Sequence, residues 1–281
     1  MLDHWIAVDD PDDPRLDIFQ GLRDQVLRQK RELPDGDMAG VFISEGDIVV
    51  GRALAAGYEL LSILVDAKRS RPLPDAVGPT VPIYAAGPEV LIQITGYHLH
   101  RGALACFKRR PVPSAVDVLT SEDPRTVLVL ENINNPTNMG VILRCAAGLG
   151  VDAFFCDPTC SDPLYRRSGR VSMGEAYALP YARLDSFPGG LDVLRDHGFT
   201  LLALTPSADA VALDQLRFDP QDRVAILLGA EGPGLSGGAL QAVDQRVSIP
   251  MSGTVDSINV GSASAVAFYG VQQARRQPPS H

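Results

Sequence analysis

An amide-rich turn that leads into an apolar helix contains the first residues with a possible chemical role. The stretch ENINNPTNMGVILR (131–144) follows a β-branched apolar run at 126–129. Asparagine and proline favour a turn, and Gly140 permits close approach of a backbone or a ligand. Asn138 can simply cap the helix and Arg144 can be a surface charge, or both can act on a substrate. The residue types leave both alternatives open.

Two later bends are also rich in small and polar residues. AILLGAEGPGLS (225–236) runs from an apolar strand pattern into glycines whose bare backbone groups suit the edge of a flat ligand. It lacks the GxGxxG spacing of a dinucleotide-binding loop, so a nicotinamide site is poorly supported. VSIPMSGTVDSINVGSASAVAFYGVQQARR (247–276) places Ser257 and Asn259 before a helix of small residues. Those small residues indicate tight packing of that helix, against the sheet or against something else.

The elements that must position these bends follow from hydrophobic patterning. From residue 126 onward, strand and helix patterns alternate, which predicts a mostly parallel sheet with helices on both faces. In such sheets ligands bind at the carboxyl ends of the strands. Each of the three bends follows a predicted strand, so functional residues are expected there.

The first third of the chain predicts a separate, smaller module. Residues 41–108 alternate strand and helix patterns, and RRPVPSAVDVLTSEDPR (109–125) is rich in proline, serine and charge, as linkers are. We therefore predict an N-terminal α/β domain at 1–112, a linker at 113–124 and a C-terminal domain at 125–281.

Charge and composition limit the partners. The net charge of −9 argues against binding of polyanions by bulk charge, so a nucleic-acid partner needs locally concentrated cations. No stretch approaches ~18 uninterrupted apolar residues, so no membrane span is predicted, and the acidic start of the chain favours a cytoplasmic protein. The basic residues of the N-terminal module are either solvated charges or contacts to RNA phosphates: Lys68, Arg69, Arg71, Arg101, Lys108, Arg109 and Arg110.

Two pairs of metal-binding residue types remain incomplete. Cys156 and Cys160 are four residues apart, and His98 and His100 are two apart, but neither pair has the further ligands of a zinc site. No metal site is predicted.

Taken in order, the three motifs resemble a known family. NPTNMGVILR, LLGAEGPGLS and IPMSGTVDSINVGSASA are similar to the signature motifs of the SpoU/TrmH family of RNA 2′-O-ribose methyltransferases, in the SPOUT superfamily. VFISEGDIVVGRAL and HRGALACFKR resemble the L30e-like domain that binds substrate RNA ahead of this catalytic domain. The resemblance implies a deep trefoil knot in the C-terminal domain, S-adenosylmethionine as the cofactor, RNA as the partner, and a homodimer formed through the first-motif helix and the final helix.

The resemblance also implies site residues by matching positions. The implied catalytic residues are Asn138, Arg144, Glu231, Ser257 and Asn259. The implied cofactor-binding residues are Thr205, Leu228, Gly229, Glu231, Ile249, Met251, Ile258 and Asn259. A guanidinium loses its proton only at high cost, so we expect Arg144 to clamp a phosphate and orient the ribose hydroxyl. One departure from the family pattern is Gly261-Ser262-Ala263, where Ser-Val-Ala is common.

The resemblance narrows the function without fixing the RNA. The N-terminal module tilts the expectation toward ribosomal RNA. The alternatives are a tRNA 2′-O-methyltransferase and a non-catalytic RNA-binding or assembly protein on the same fold. Because all five implied catalytic residues are present, we expect an active enzyme.

Overall fold

The chain folds as two compact units in a computed structural model that describes residues 5–23, 31, 35–99, 102–253, 255 and 257–276. Unit 1 comprises Met1–Pro111 together with Leu164–Ala178, and unit 2 comprises Val112–Pro163 together with Leu179–His281. The sequence did not indicate that 164–178 belongs with the N-terminal unit.

Unit 1 is a mixed five-stranded sheet made of β1 (Trp5–Val8), β2 (Val41–Glu45), β3 (Leu60–Asp66), β4 (Ile83–Ala86) and β5 (Leu104–Lys108). The strand order in the sheet is β1-β4-β3-β5-β2. β1, β4 and β3 are parallel, whereas β5 is antiparallel to β3 and β2. Alternate residues of its strands are buried in two separate clusters, so both faces of the sheet are covered. Helices of unit 1 lie at Asp47–Ala55 and Pro88–Thr95, and a 3-10 helix lies at Pro14–Phe19.

The segment 164–178 packs into unit 1 through a buried ion pair. Its helix Arg166–Val171 places the Arg166 side chain, 7% exposed, against the carboxylate of Glu45 at the end of β2. Arg166 Nη2 also donates to the carbonyl of Leu22 at 2.8 Å, and the guanidinium lies over the Tyr97 ring at 5.0 Å. Breaking such a pair leaves a buried charge without compensation, so these contacts fix the segment in unit 1.

Unit 2 is a seven-stranded sheet made of β6 (Thr126–Leu130), β7 (Ala153–Cys156), β8 (Tyr181–Arg183), β9 (Phe199–Leu204), β10 (Val211–Ala212), β11 (Arg223–Leu228) and β12 (Gln245–Ser248). The strand order is β10-β12-β9-β11-β6-β7-β8, and every adjacent pair is parallel. The helices are Ala115–Ser121, Pro136–Gly148, Asp192–Asp196, Gly237–Ala242 and Val260–Arg276. The predicted α/β fold with a mostly parallel sheet flanked by helices is confirmed, and the trefoil knot stays a prediction.

The stretch expected to be a linker contains a helix of unit 2. Ser114 caps Ala115–Ser121 in a reciprocal box with Asp117, whose backbone N–H donates to Ser114 Oγ at 3.1 Å. Val118 and Leu119 are buried in the core of unit 2. The residues 113–124 are thus part of a packed unit. The linker prediction missed this helix because it weighed the proline and charge content above a capping box and two adjacent apolar residues. No described helix is long and apolar enough to cross a membrane.

Candidate functional site

Three chain segments that follow adjacent parallel strands line one cavity of about 530 Å³. β12, β9 and β11 lie side by side, so their carboxyl ends meet at one edge of the sheet, where ligands of parallel sheets bind. The cavity is lined by Leu204–Pro206 at the end of β9, by the glycine bend 229–235 after β11, and by Ile249, Met251 and Ser257–Asn259 after β12. The sheet therefore brings the second and third sequence motifs together.

The glycine bend (229–235) is closed so tightly that its first residue has to be glycine. A Cβ atom on Gly229 would lie 2.3 Å from the carbonyl carbon of Gly234 and 2.4 Å from the nitrogen of Leu235. The N–H of Gly234 donates to the carbonyl of Ala230 at 3.0 Å across the bend. Gly232 has a φ of +87°, which side-chain-bearing residues rarely adopt. The bend therefore presents backbone groups to the cavity.

Asn259 connects all three motifs. Its Nδ2 donates a short hydrogen bond to Glu231 Oε1 of the glycine bend and a longer one, at 3.3 Å, to Asn138 Oδ1. Its Oδ1 accepts from the backbone N–H of Gly261 at 2.9 Å, at the start of the final helix. Asn138 is 7% exposed, so this amide is held inside the unit. Three predicted catalytic residues thus form one hydrogen-bonded cluster beside the cavity.

The first-motif helix (Pro136–Gly148) and the final helix (Val260–Arg276) start together at this cluster and lie side by side. A Cβ on Gly261 would lie 2.6 Å from Val141 Cγ1, so only glycine lets the two helices approach this closely. Further along, the Gln272 amide donates to the carbonyl of Leu149. The departure from the family pattern at position 261 therefore fits helix packing.

Arg144 is exposed and lies outside the lining of this cavity. Six residues separate it from Asn138, which places it about 9 Å further along the helix axis and roughly 120° around it. Among the described residues, none forms a hydrogen bond or ion pair with its side chain. Within one chain, Asn138, Glu231 and Asn259 therefore lie together, whereas Arg144 lies away from them.

The lining contains each residue that the resemblance implied for the cofactor: Thr205, Leu228, Gly229, Glu231, Ile249, Met251, Ile258 and Asn259. Ser257, implied as catalytic, also lines the cavity. The sequence reading missed Leu240, which reaches the cavity from the helix Gly237–Ala242, and Pro206. Neither residue carries a polar group or special spacing that points to a site.

Arg69 departs from the predicted RNA contacts of unit 1. Its side chain is 6% exposed, and its two terminal nitrogens each donate to a carboxylate oxygen of Asp47 at 2.9 Å. Its Nε donates to the carbonyl of Arg71 at 2.8 Å. Arg69 is thus a structural residue that joins its own loop to the start of the helix Asp47–Ala55, contrary to the prediction, whereas Lys68 and Arg71 are exposed. Arg101 lies outside the described residues.

The other predicted basic cluster is engaged within unit 1 and lies at the opposite end of the sheet. Lys108 Nζ is 3.3 Å from a Glu59 carboxylate oxygen, and the Arg110 guanidinium lies 4.5 Å above the Tyr58 ring. Arg109 Nε donates to the carbonyl of Val41 at 2.7 Å. Val41 begins β2, whereas Asp47, the partner of Arg69, follows the end of that strand. The two basic clusters therefore lie at opposite ends of β2.

The cysteine pair of unit 2 is buried. The Ile133 N–H donates to Cys160 Sγ, which in turn donates to the carbonyl of Leu130, each at 3.3 Å. The hydrogen bond with the Cys156 side chain and then burial raise the pKa of the Cys160 thiol, which keeps it protonated. Within the described part of the chain, no three His, Cys, Asp or Glu side chains are placed to hold a metal ion, and His100 lies outside that part.

Comparison with known proteins agrees with the fold and the motifs. Residues 125–269 match the SpoU rRNA Methylase family. An uncharacterized tRNA/rRNA methyltransferase of Mycobacterium tuberculosis is 45% identical over 262 residues, 92% of this chain and 89% of that protein. The 23S rRNA (guanosine-2′-O-)-methyltransferase RlmB of Acinetobacter baylyi is 29% identical over 192 residues, 67% of this chain and 77% of that protein. The crystal structure of an AdoMet-bound rRNA methyltransferase from Sinorhizobium meliloti has a TM-score of 0.78 at 21% identity and covers 99% of this chain and 100% of that one.

The parallel sheet with its cavity at the carboxyl edge thus has the fold of that methyltransferase structure. The chain belongs to the SpoU rRNA methylase family and is an RNA methyltransferase. The resemblance that the three motifs indicated is confirmed.

Proposed function

We propose that this protein transfers a methyl group from S-adenosylmethionine to a ribose 2′-hydroxyl in structured ribosomal RNA. The observation that carries the proposal is the convergence of the three motifs: two line one cavity, and Asn259 connects that cavity to Asn138 of the first motif. The name of the Acinetobacter relative, a 23S rRNA 2′-O-methyltransferase, supports both the ribose and the ribosomal substrate.

The residues of the cavity fit S-adenosylmethionine. Its volume of about 530 Å³ lies within the range of roughly 300–1,000 Å³ typical of small-molecule sites. The glycine bend offers backbone donors and acceptors for an adenine edge, and aliphatic side chains such as Leu228 and Ile249 can cover a ring face. The Glu231 carboxylate supplies a negative charge for a cationic ligand. When bound, S-adenosylmethionine supplies an electrophilic methyl group on a positively charged sulfur.

Asn259 and Ser257 position the other groups of the site. Asn259 fixes the Glu231 carboxylate and the Asn138 amide relative to the final helix. Ser257 is exposed at the cavity lining, so its hydroxyl can hydrogen-bond to the ribose. Such positioning of an acceptor beside its reaction partner is a large contribution to rate.

Arg144 acts on the RNA and not on the methyl donor. Its side chain is exposed, unpaired among the described residues, and outside the cavity lining. A planar guanidinium binds phosphate through two parallel hydrogen bonds. We therefore assign Arg144 to the phosphate beside the target ribose, where it fixes the RNA and its charge favours deprotonation of the 2′-hydroxyl.

Within unit 1 the proposed RNA contacts are Lys68 and Arg71. Both are exposed. Lys108 and Arg110 are exposed as well, but Lys108 is paired with Glu59 and Arg110 lies over the Tyr58 ring, whereas the side chains of Lys68 and Arg71 have no partner among the described residues. Because the whole chain is acidic, local cations such as these must provide the attraction to RNA phosphates.

We also propose a homodimer that uses the final helix. Val266 and Tyr269 are exposed apolar residues on that helix and line a second cavity of about 400 Å³. Ile249 lines this cavity as well as the larger one. Sedimentation equilibrium of the wild type and Tyr269→Arg tests this: a dimer that the substitution dissociates is expected, and a wild-type monomer would contradict it.

The experiment for the main proposal uses RNA from cells that lack this gene. The purified protein is incubated with S-adenosylmethionine and either ribosomal RNA or tRNA, and the nucleosides are analysed by mass spectrometry. A 2′-O-methylated nucleoside in ribosomal RNA is expected. A methylated base, or a product only in tRNA, would contradict the proposal.

A further inference from the structure

Glu131 is a buried carboxylate at the end of β6 that does not line the larger cavity. It is 8% exposed and directly follows the last residue of the strand, Leu130. A buried carboxylate costs free energy unless hydrogen bonds compensate its charge. Its partners therefore indicate what it holds in place.

Glu131 is bonded to both ends of the glycine bend. Its backbone N–H donates to the carbonyl of Leu228, the last residue of β11, at 2.9 Å. Its Oε2 accepts from the backbone N–H of Ser236, the residue that follows the bend, at 2.8 Å. One residue from a neighbouring strand thus joins the start of the bend through its backbone and the end through its side chain.

The position of the end of the glycine bend, next to Ser236, determines the shape of the cavity. The bend is closed so tightly that a Cβ atom on Gly229 would overlap the backbone of Gly234 and Leu235. Every residue from 229 to 235 lines the cavity. A group that holds the end of the bend in place therefore shapes the binding site without contacting the ligand.

We propose that Glu131 is a positioning residue for the methyl-donor site: its carboxylate keeps the glycine bend closed, and its loss weakens binding of S-adenosylmethionine. This inference rests on the proposed function, which assigns that ligand to the cavity. A hydrogen bond from a backbone N–H to a carboxylate is among the stronger ones in proteins. Without the Glu131 carboxylate, the Ser236 N–H loses its acceptor and the end of the glycine bend is no longer held in place.

Two pairs of variants separate this bond from other effects. Glu131→Ala removes the acceptor, whereas Glu131→Gln keeps an oxygen that can accept from Ser236. Ser236→Pro removes the donor, and the φ of Ser236, −64°, is one that proline adopts. Ser236 Oγ also accepts from the N–H of Ala239 at 3.1 Å. Ser236→Ala loses that cap but keeps the backbone donor, so it is the control for Ser236→Pro.

The measurement is the Kd for S-adenosylmethionine, determined by calorimetry on the full chain without RNA. Loss of a charge-assisted hydrogen bond predicts a rise of about tenfold or more for Glu131→Ala and Ser236→Pro. Glu131→Gln and Ser236→Ala should stay within about threefold of the wild type on the same scale. The double variant Glu131→Ala/Ser236→Pro should bind no more weakly than either single variant, because both remove the same bond.

Two results would overturn the inference. Equal weakening by Ser236→Ala and Ser236→Pro would assign the effect to the helix cap. A wild-type Kd in folded Glu131→Ala and Ser236→Pro would show that the hydrogen bond between Glu131 and Ser236 is not needed to shape the binding site.

Amide hydrogen exchange of the free protein keeps this test separate from the proposed function. Peptides that span 229–235 should exchange faster in Glu131→Ala than in the wild type, and Glu131→Gln should restore the slow rate. If the wild type does not bind S-adenosylmethionine, the proposed function fails, and exchange alone then decides whether Glu131 holds the bend. Unchanged exchange in Glu131→Ala would overturn the inference.

Discussion

The cavity of unit 2 and the basic surface of unit 1 are built by different means. The cavity depends on backbone contacts that tolerate no added atom, as at Gly229, and on hydrogen bonds between distant residues, as at Asn259. The basic surface depends on which exposed cations have no side-chain partner among the described residues, here Lys68 and Arg71. Changes in the cavity should therefore alter methyl-donor binding or turnover regardless of salt. Changes in the basic surface should alter the KM for RNA, and salt should screen the effect.

The largest expected effect belongs to Gly229→Ala. The new Cβ would meet backbone atoms at 2.3–2.4 Å, and no side-chain rotation relieves such an overlap. Affinity for S-adenosylmethionine should fall about 100-fold or more, measured by calorimetry. Gly237→Ala is the matched control, since a Cβ there meets nothing within 4 Å. Equal binding by both variants would mean that the glycine bend does not shape the site.

Asn259→Ala should reduce kcat about 100-fold, because it releases Glu231 and Asn138 from their shared donor. It should also reduce the free energy of unfolding by about 1 kcal/mol through loss of the bond to Gly261 at the helix start. Asn259→Ser is the control, because serine caps helices but cannot reach both side chains. We expect near wild-type thermal stability with low turnover, and normal turnover in this variant would exclude the connecting role.

Arg144→Lys keeps the positive charge but loses the planar fork. Turnover should fall about tenfold or more, whereas the Kd for S-adenosylmethionine should match the wild type because Arg144 does not line the cavity. Steady-state kinetics and calorimetry on one preparation measure both quantities. Near wild-type turnover would reject the phosphate clamp, and weakened methyl-donor binding would place Arg144 at the cavity.

The smallest effect is expected in unit 1. The double variant Lys68→Ala/Arg71→Ala should raise the KM for RNA several-fold and make it less sensitive to salt, with the slope of log KM against log salt reduced by about one per lost phosphate contact. The kcat and the methyl-donor affinity should not change. Lys108→Ala/Arg110→Ala is the matched control at the other end of the sheet, where both side chains have partners. A larger effect in the control would reverse the assignment of the RNA surface.

Parallel-sheet geometry explains why the sequence located the cavity so well. Leu228, Ile249 and Thr205 each follow or end a strand, and strands with one direction must end at one edge. Strand direction therefore predicted the edge of the sheet, and the individual lining residues came from the resemblance to the family by matching positions. The partners within it, such as Asn259 with Asn138, depend on helix packing that no local pattern encodes.

The sequence could not show how charges are paired over long distances. Arg69 looked like an RNA contact, but its partner Asp47 lies 22 residues away. Arg166 joins 164–178 to unit 1 through Glu45, 121 residues away. The helix Ala115–Ser121 was concealed because linker-like composition outweighed two buried apolar residues. The two ion pairs require the tertiary fold before they can be recognised, whereas the capping box of Ser114 and Asp117 is a local signal that the sequence does contain.

A crystal structure of the protein grown with S-adenosylmethionine shows directly whether the larger cavity of unit 2 holds the methyl donor. We expect the donor between the backbone of Gly229 and the side chains of Ile249 and Ile258, with its sulfonium methyl facing the hydrogen-bonded cluster of Asn138, Glu231 and Asn259. Density for the donor at another place, with the glycine bend unoccupied, would contradict it.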